Sequence, residues 1–94
     1  MLAKEEVVGL LSLNETEPSY LIEGVPAQTV KHMLNICHAK RLRFIHKNGT
    51  IMFDCSEDEK NTLDEMGRLL KGIPIQEATT VPEILKNEFY RLNN

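Results

Sequence analysis

The sequence predicts an α+β fold, with a four-stranded antiparallel sheet and helices packed on it. Three observations lead there. Asn48-Gly49 sits between two strand-like runs, the local signature of a hairpin. Segments 26–40 and 57–71, one on each side of that hairpin, repeat apolar residues at helical spacing. A strand-like run precedes the first of these segments and another follows the second, so the middle of the chain reads β-α-β-β-α-β.

The elements follow in order. Residues 3–12 place Val7, Leu10 and Leu11 on one helical face, with Gly9 weakening the segment. Pro18 ends the loop that follows. Residues 19–25, rich in Tyr, Leu, Ile and Val, form the first strand. Pro26 suits a helix's first turn, where its missing N–H is not needed. The helix over 26–40 gathers Val30, Met33, Leu34 and Cys37 on one side and Gln28, Lys31, His32, Asn35 and His38 on the other.

A two-residue turn at Asn48-Gly49 pairs residues whose numbers sum to 97. Lys47 then faces Thr50, Ile45 faces Met52, and Arg43 faces Asp54. Strand alternation separates a core face (Leu42, Phe44, His46, Ile51, Phe53, Cys55) from a second face (Arg43, Ile45, Lys47, Thr50, Met52, Asp54). Ser56 to Glu59 reads as a capping box opening a helix over 57–71, with Leu63, Met66 and Leu70 as its stripe and Gly72 to end it. Residues 73–78 form a strand whose Pro74 cannot donate to a ladder, which places it at a sheet edge. Thr80 to Glu83 is a second capping box, and the helix over 81–92 aligns Val81, Leu85, Phe89 and Leu92.

With right-handed crossovers this order gives the ferredoxin-like arrangement, sheet order 4-1-3-2, both central helices on one face. Helices are added at each end. One domain over 1–94 is expected: a helix and loop over 1–17, the βαββαβ core over 18–78, and a terminal helix over 79–94. A winged-helix reading fits less well, because no two consecutive short helices precede the hairpin.

Charge is the strongest functional signal. The chain carries formal net charge −3, but unevenly. Residues 1–23 are net −4 and residues 54–94 are net −4. Residues 24–53 hold Lys31, Lys40, Arg41, Arg43 and Lys47, all three histidines and no acid. This neutral-to-basic middle either is balanced within the chain, by Asp54 opposite Arg43 and the acidic start of the 57–71 helix, or suits an anionic partner. The expected binding residues are Lys40, Arg41, Arg43 and Lys47 around an apolar pair, Ile45 and Met52, on the hairpin's second face. An apolar centre with a polar rim is common interface composition; the alternative is that the helix over 81–92 folds over Ile45 and Met52 and covers them within the chain.

The expected function is therefore a small non-enzymatic module that binds a macromolecule, foremost a protein with an acidic surface: an inhibitor, an adaptor or a small regulatory subunit. A second copy of the chain is another candidate partner. The alternative is a nucleic-acid-binding regulator that contacts phosphates through 31–47. Four such contacts give a log–log salt slope of about −3.6. Against it stand the overall acidity and the lack of stacking aromatics on the second face.

No cofactor, metal or catalytic group is expected. His32 and His38, six apart, lie about 120° apart around a helix and do not share a metal as i, i+4 histidines do. His46 and Cys55 share a strand face but are too far apart along the hairpin for a Cys–His nucleophile. Glu57, Asp58 and Glu59 complement a helix N-terminus. Phosphate-binding glycine loops and nucleophile elbows are absent. Without an apolar run of spanning length or a basic, apolar leader, the expected location is the cytoplasm. There, Cys37 and Cys55 serve as small buried hydrophobes.

Overall fold

The computed structural model describes residues 18–56 and 60–92. Seven elements lie within them: β1 (Ser19–Ile22), α1 (Ala27–Ala39), β2 (Phe44–Lys47), β3 (Thr50–Asp54), α2 (Lys60–Leu70), β4 (Gln76–Ala78) and α3 (Glu83–Leu92). The helix expected over 3–12 falls outside the described residues, as do three of the four residues of the capping box at Ser56.

The strands form one sheet in the order β2-β3-β1-β4, every neighbouring pair antiparallel. The hairpin register is the one the Asn-Gly turn dictates: Phe44 pairs with Phe53, Ile45 with Met52, His46 with Ile51, and Lys47 with Thr50. Asn48 and Gly49 both adopt positive φ, 48° and 82°. β1 enters between β3 and β4, setting Ser19 opposite Asp54 and Leu21 opposite Met52.

Alternation gives the sheet two apolar faces, and both are covered. On one, Ile22, Phe44, Ile51 and Phe53 pack with Val30, Met33 and Cys37 of α1 and Met66 and Leu70 of α2. On the other, Ile45 and Met52 pack with Val81 and Leu85, with Leu21, Ala78 and Phe89 at the margin. The result is three layers, with α1 and α2 above the sheet and α3 below it. Two amphipathic helices cover the first face, and a four-stranded sheet with apolar residues on both sides needs a third layer for the second.

Several element ends differ from the sequence expectation. β1 stops at Ile22 because Gly24 turns with φ 72° and Val25 binds the hairpin tip instead, its N–H donating to the Gly49 carbonyl at 3.0 Å. Pro26 lies just before α1, not within it. Pro74 lies before β4, so β4 owes its edge position to the topology and not to the proline. Leu92 shares the azimuth of Leu85 but is 41% exposed, because the cluster beneath α3 ends at Phe89.

The end of α1 has an unusual residue. The N–H of Leu42 donates to the Cys37 carbonyl at 2.9 Å and that of Arg41 to the His38 carbonyl at 3.2 Å. This is the paired closure of a Schellman motif, and the residue in the left-handed position, usually glycine, is Arg41 at φ 56°.

Candidate functional site

The six residues expected to bind a partner do not form one surface. Ile45 and Met52 are 1% and 0% exposed, enclosed between the sheet and α3. They are core, which corrects the sequence expectation. Its assignment of Ile45 and Met52 to the face opposite the phenylalanines was right. Of the two outcomes left open for that face, a partner or cover by the terminal helix, the second holds: Leu85 and Phe89 of α3 fill the space a partner would have occupied.

Arg43 and Lys47 flank that pair and face acids of the same chain. Arg43 sits opposite Asp54, its guanidinium nitrogen 2.6 Å from Oδ2, and the carboxylate is wholly buried. The other oxygen of Asp54 accepts a hydrogen bond from the Ser19 hydroxyl at 2.5 Å, so one buried carboxylate joins β1, β3 and the residue before β2. Lys47 reaches Glu88 of α3 at 3.7 Å. Glu88 also accepts two hydrogen bonds from Arg91, at 2.7 and 3.0 Å. The Arg91 guanidinium holds the Glu88 carboxyl below its usual range, and Lys47 adds to this.

Lys40 and Arg41 remain exposed at the end of α1, next to one another and without an ion pair among the described residues. Lys31 and His32, on the outer face of the same helix, are exposed as well. The accessible part of the basic middle is therefore the outer face of α1, at Lys31 and His32, and the turn that ends it, at Lys40 and Arg41.

That outer face borders an apolar depression. Between the first turns of α1 and the hairpin tip lies an open groove of about 520 Å³, walled by Val25, Ala27, Val30 and Leu34, with Lys31 and His46 at its polar margin. A second, more polar depression of about 500 Å³ adjoins it over Gln28, His32 and Asn35, sharing Ala27 and Lys31 with the first. Lys31 thus stands on the boundary between an apolar hollow and a polar one. Such volumes match those of ordinary ligand and side-chain pockets.

The hairpin tip forms a rigid wall of the groove. The Gly49 N–H donates to His46 Nε2 at 3.3 Å, so neutral His46 carries its proton on Nδ1. Burial pulls the His46 pKa below its ordinary value. Glu88 opposes this and Lys47 reinforces it. A side chain on Gly49 would meet the Val25 carbonyl oxygen at 2.8 Å, so only glycine lets the tip lie this close to the start of α1.

Cys37 and Cys55 are both buried, and burial, with Cys55 nearby, pushes the Cys37 thiol up to about 12. A thiol that stays protonated is a poor nucleophile. Among the described residues no three His, Cys, Asp or Glu side chains converge as a metal site, and no helix is long and apolar enough to cross a membrane.

The sequence reading missed three participants. Ser19 and Glu88 are ordinary polar residues until β1 and α3 are placed. The groove arises between segments that only the fold brings together. Compared with protein-family models, with curated proteins and with solved structures, the chain matches none.

Proposed function

We propose that this protein is a non-enzymatic interaction module that binds an acidic segment of a protein partner along the outer side of α1, as an adaptor, inhibitor or small regulatory subunit. The arrangement is that of a ferredoxin-like core whose second sheet face is closed by α3. With Ile45 and Met52 enclosed, binding through the hairpin's second face gives way to binding through α1. The contributing residues are Lys31, His32, Lys40 and Arg41.

One observation carries this reading. Arg41 holds the left-handed position of a helix end, where a non-glycine residue costs about 1 kcal/mol. Strain of this kind concentrates at functional positions. Here it places exposed Arg41 beside exposed Lys40 in a stretch of chain, 24–53, that has no acid, whereas Lys71, in the same conformation after α2, lies in the acidic stretch 54–94. A basic residue also complements the helix C-terminus, but Lys40 already serves that purpose.

The nucleic-acid reading is weaker. Arg43 and Lys47 already face Asp54 and Glu88. Two of the four expected phosphate contacts remain, and the salt slope drops to about −1.8.

The test is Arg41→Gly, alone and with Lys40→Gln. Affinity purification from the native host, with and without nuclease, is compared for each form. The expected result is a nuclease-resistant partner that is lost with both substitutions, while Arg41→Gly raises stability by about 1 kcal/mol. A partner retained unchanged by the double variant sinks the proposal, and a nuclease-sensitive one favours nucleic acid.

A further inference from the structure

The groove and the polar depression beside it share Ala27 and Lys31, and Lys31 has no ion pair among the described residues. We infer that this double hollow is an anchor site for a peptide segment in which one apolar side chain is flanked by acidic residues. The inference rests on the acidic-partner reading and deepens it by naming what the partner must carry.

The apolar half sets the anchor. Val25, Ala27, Val30 and Leu34 offer only hydrocarbon, so the group that enters must be aliphatic or aromatic. Burying a Leu- or Phe-sized side chain supplies the larger share of such binding. The groove is open and its floor belongs to the core, with Val30 and Val25 buried beneath it. An occupant therefore docks from outside without rearranging the fold.

Charge complementarity sets the flanks. Lys31 stands at the boundary and His32 lies in the polar half. Residues 24–53, which supply every wall of both hollows, contain no carboxylate. An acidic residue next to the anchor meets Lys31, whereas a basic one meets only repulsion. Exposed pairs of this kind are individually weak, so they select orientation and partner more than they add affinity.

The glycine turn keeps the site formed in the absence of a ligand. The hairpin tip is tied to the start of α1 by the Val25–Gly49 hydrogen bond and to its own strand by His46. A preformed hollow avoids the ordering cost that weakens flexible sites.

The experiment selects a phage-displayed library of random dodecapeptides on the full chain. Enriched sequences are resynthesised and measured by fluorescence polarisation against wild type, Ala27→Trp and Lys31→Glu. Ala27 is exposed in the first turn of α1, so a tryptophan there fills the groove without entering the core. Circular dichroism checks that both variants fold. The expected result is a consensus of one apolar residue flanked by Asp or Glu. Ala27→Trp then weakens binding by about tenfold or more. Lys31→Glu weakens it by about threefold. Backbone amide shifts in the wild-type protein localise to Val25, Val30, Lys31 and Gly49. Acidic peptides that lack an apolar anchor and are indifferent to Ala27→Trp overturn the groove and leave the acidic-partner reading standing. Apolar peptides without acids, indifferent to Lys31→Glu, overturn both, as does the absence of enrichment.

Discussion

Arg43 and Asp54 lie opposite one another where the β2–β3 ladder ends, joined twice over. The Asp54 N–H donates to the Arg43 carbonyl at 2.9 Å, and their side chains form an ion pair at 2.6 Å. The pair is asymmetric. The carboxylate is fully buried, whereas the arginine keeps 25% of its side chain in solvent. What holds this corner together is the need to compensate a buried charge more than the attraction between two surface groups.

Removing the arginine is therefore expected to cost more than an exposed pair is worth. Arg43→Leu should lower stability by about 2–3 kcal/mol, because the buried Asp54 carboxylate loses the guanidinium that compensates its charge. The double variant Arg43→Leu/Asp54→Leu should recover part of that loss, since a buried pair replaced by apolar groups is often neutral. Urea unfolding of the three variants, arranged as a cycle, measures this. Additive losses would show that the pair is not coupled.

Gly49, in the groove's wall, and Gly24, just before Val25 in the chain, make a controlled comparison. Gly24 has φ 72° and open space where a side chain would go, whereas Gly49 has φ 82° and the Val25 carbonyl oxygen 2.8 Å away. Gly24→Ala should cost about 1 kcal/mol for the backbone alone. Gly49→Ala should cost roughly 1–3 kcal/mol more, because the tip must move off α1. Equal losses in urea midpoints would rule out the close approach as the cause.

The pH dependence has a definite sign. His46 is held below its unfolded pKa, so the folded state binds fewer protons between the two values. The stability it contributes is present above about pH 6.5 and is lost as pH falls through the lower folded value. Protonation also removes the acceptor for the Gly49 N–H. Urea midpoints should fall between about pH 7.5 and pH 5, and His46→Gln should flatten that fall. Glu88, held low by Arg91, acts in a separate and more acidic window: its contribution is present above the unfolded carboxylate value and disappears further down. A His46→Gln protein with an unaltered profile would assign the near-neutral loss elsewhere.

Ile45 tests the layer beneath the sheet. Ile45→Ala should cost about 2–5 kcal/mol, as buried aliphatic truncations do. Ile45→Glu should prevent folding, because it places an unpaired carboxylate between the sheet and α3. Loss of the circular dichroism signal checks this. A folded Ile45→Glu protein would mean that α3 leaves that face open.

The hairpin was legible because its information is local. One Asn-Gly pair fixed the turn, the turn fixed the register, and alternation then sorted Phe44 and Phe53 from Ile45 and Met52. The Arg43–Asp54 pairing followed from the same arithmetic. Ser19 was not legible, because its contact with Asp54 spans 35 residues of sequence and depends on where β1 inserts. The fate of Ile45 was not legible either. The stripe on 81–92 shows that this helix covers something, but no periodicity says which face of which sheet. Glu88 and the groove were hidden for the same reason. Arg41 was visible as a charge, but its left-handed conformation appears only once α1 has an end.

β4 has a further consequence. Among the described residues the sheet terminates on one side in three residues, Gln76–Ala78, and on the other in the four of β2, bracketed by Arg43 and Lys47. Short or charged borders give an incoming strand little ladder to extend. In a crowded solution such borders oppose strand-by-strand polymerisation into fibrils, so this small protein can remain discrete at concentrations where longer, bare-edged sheets would assemble.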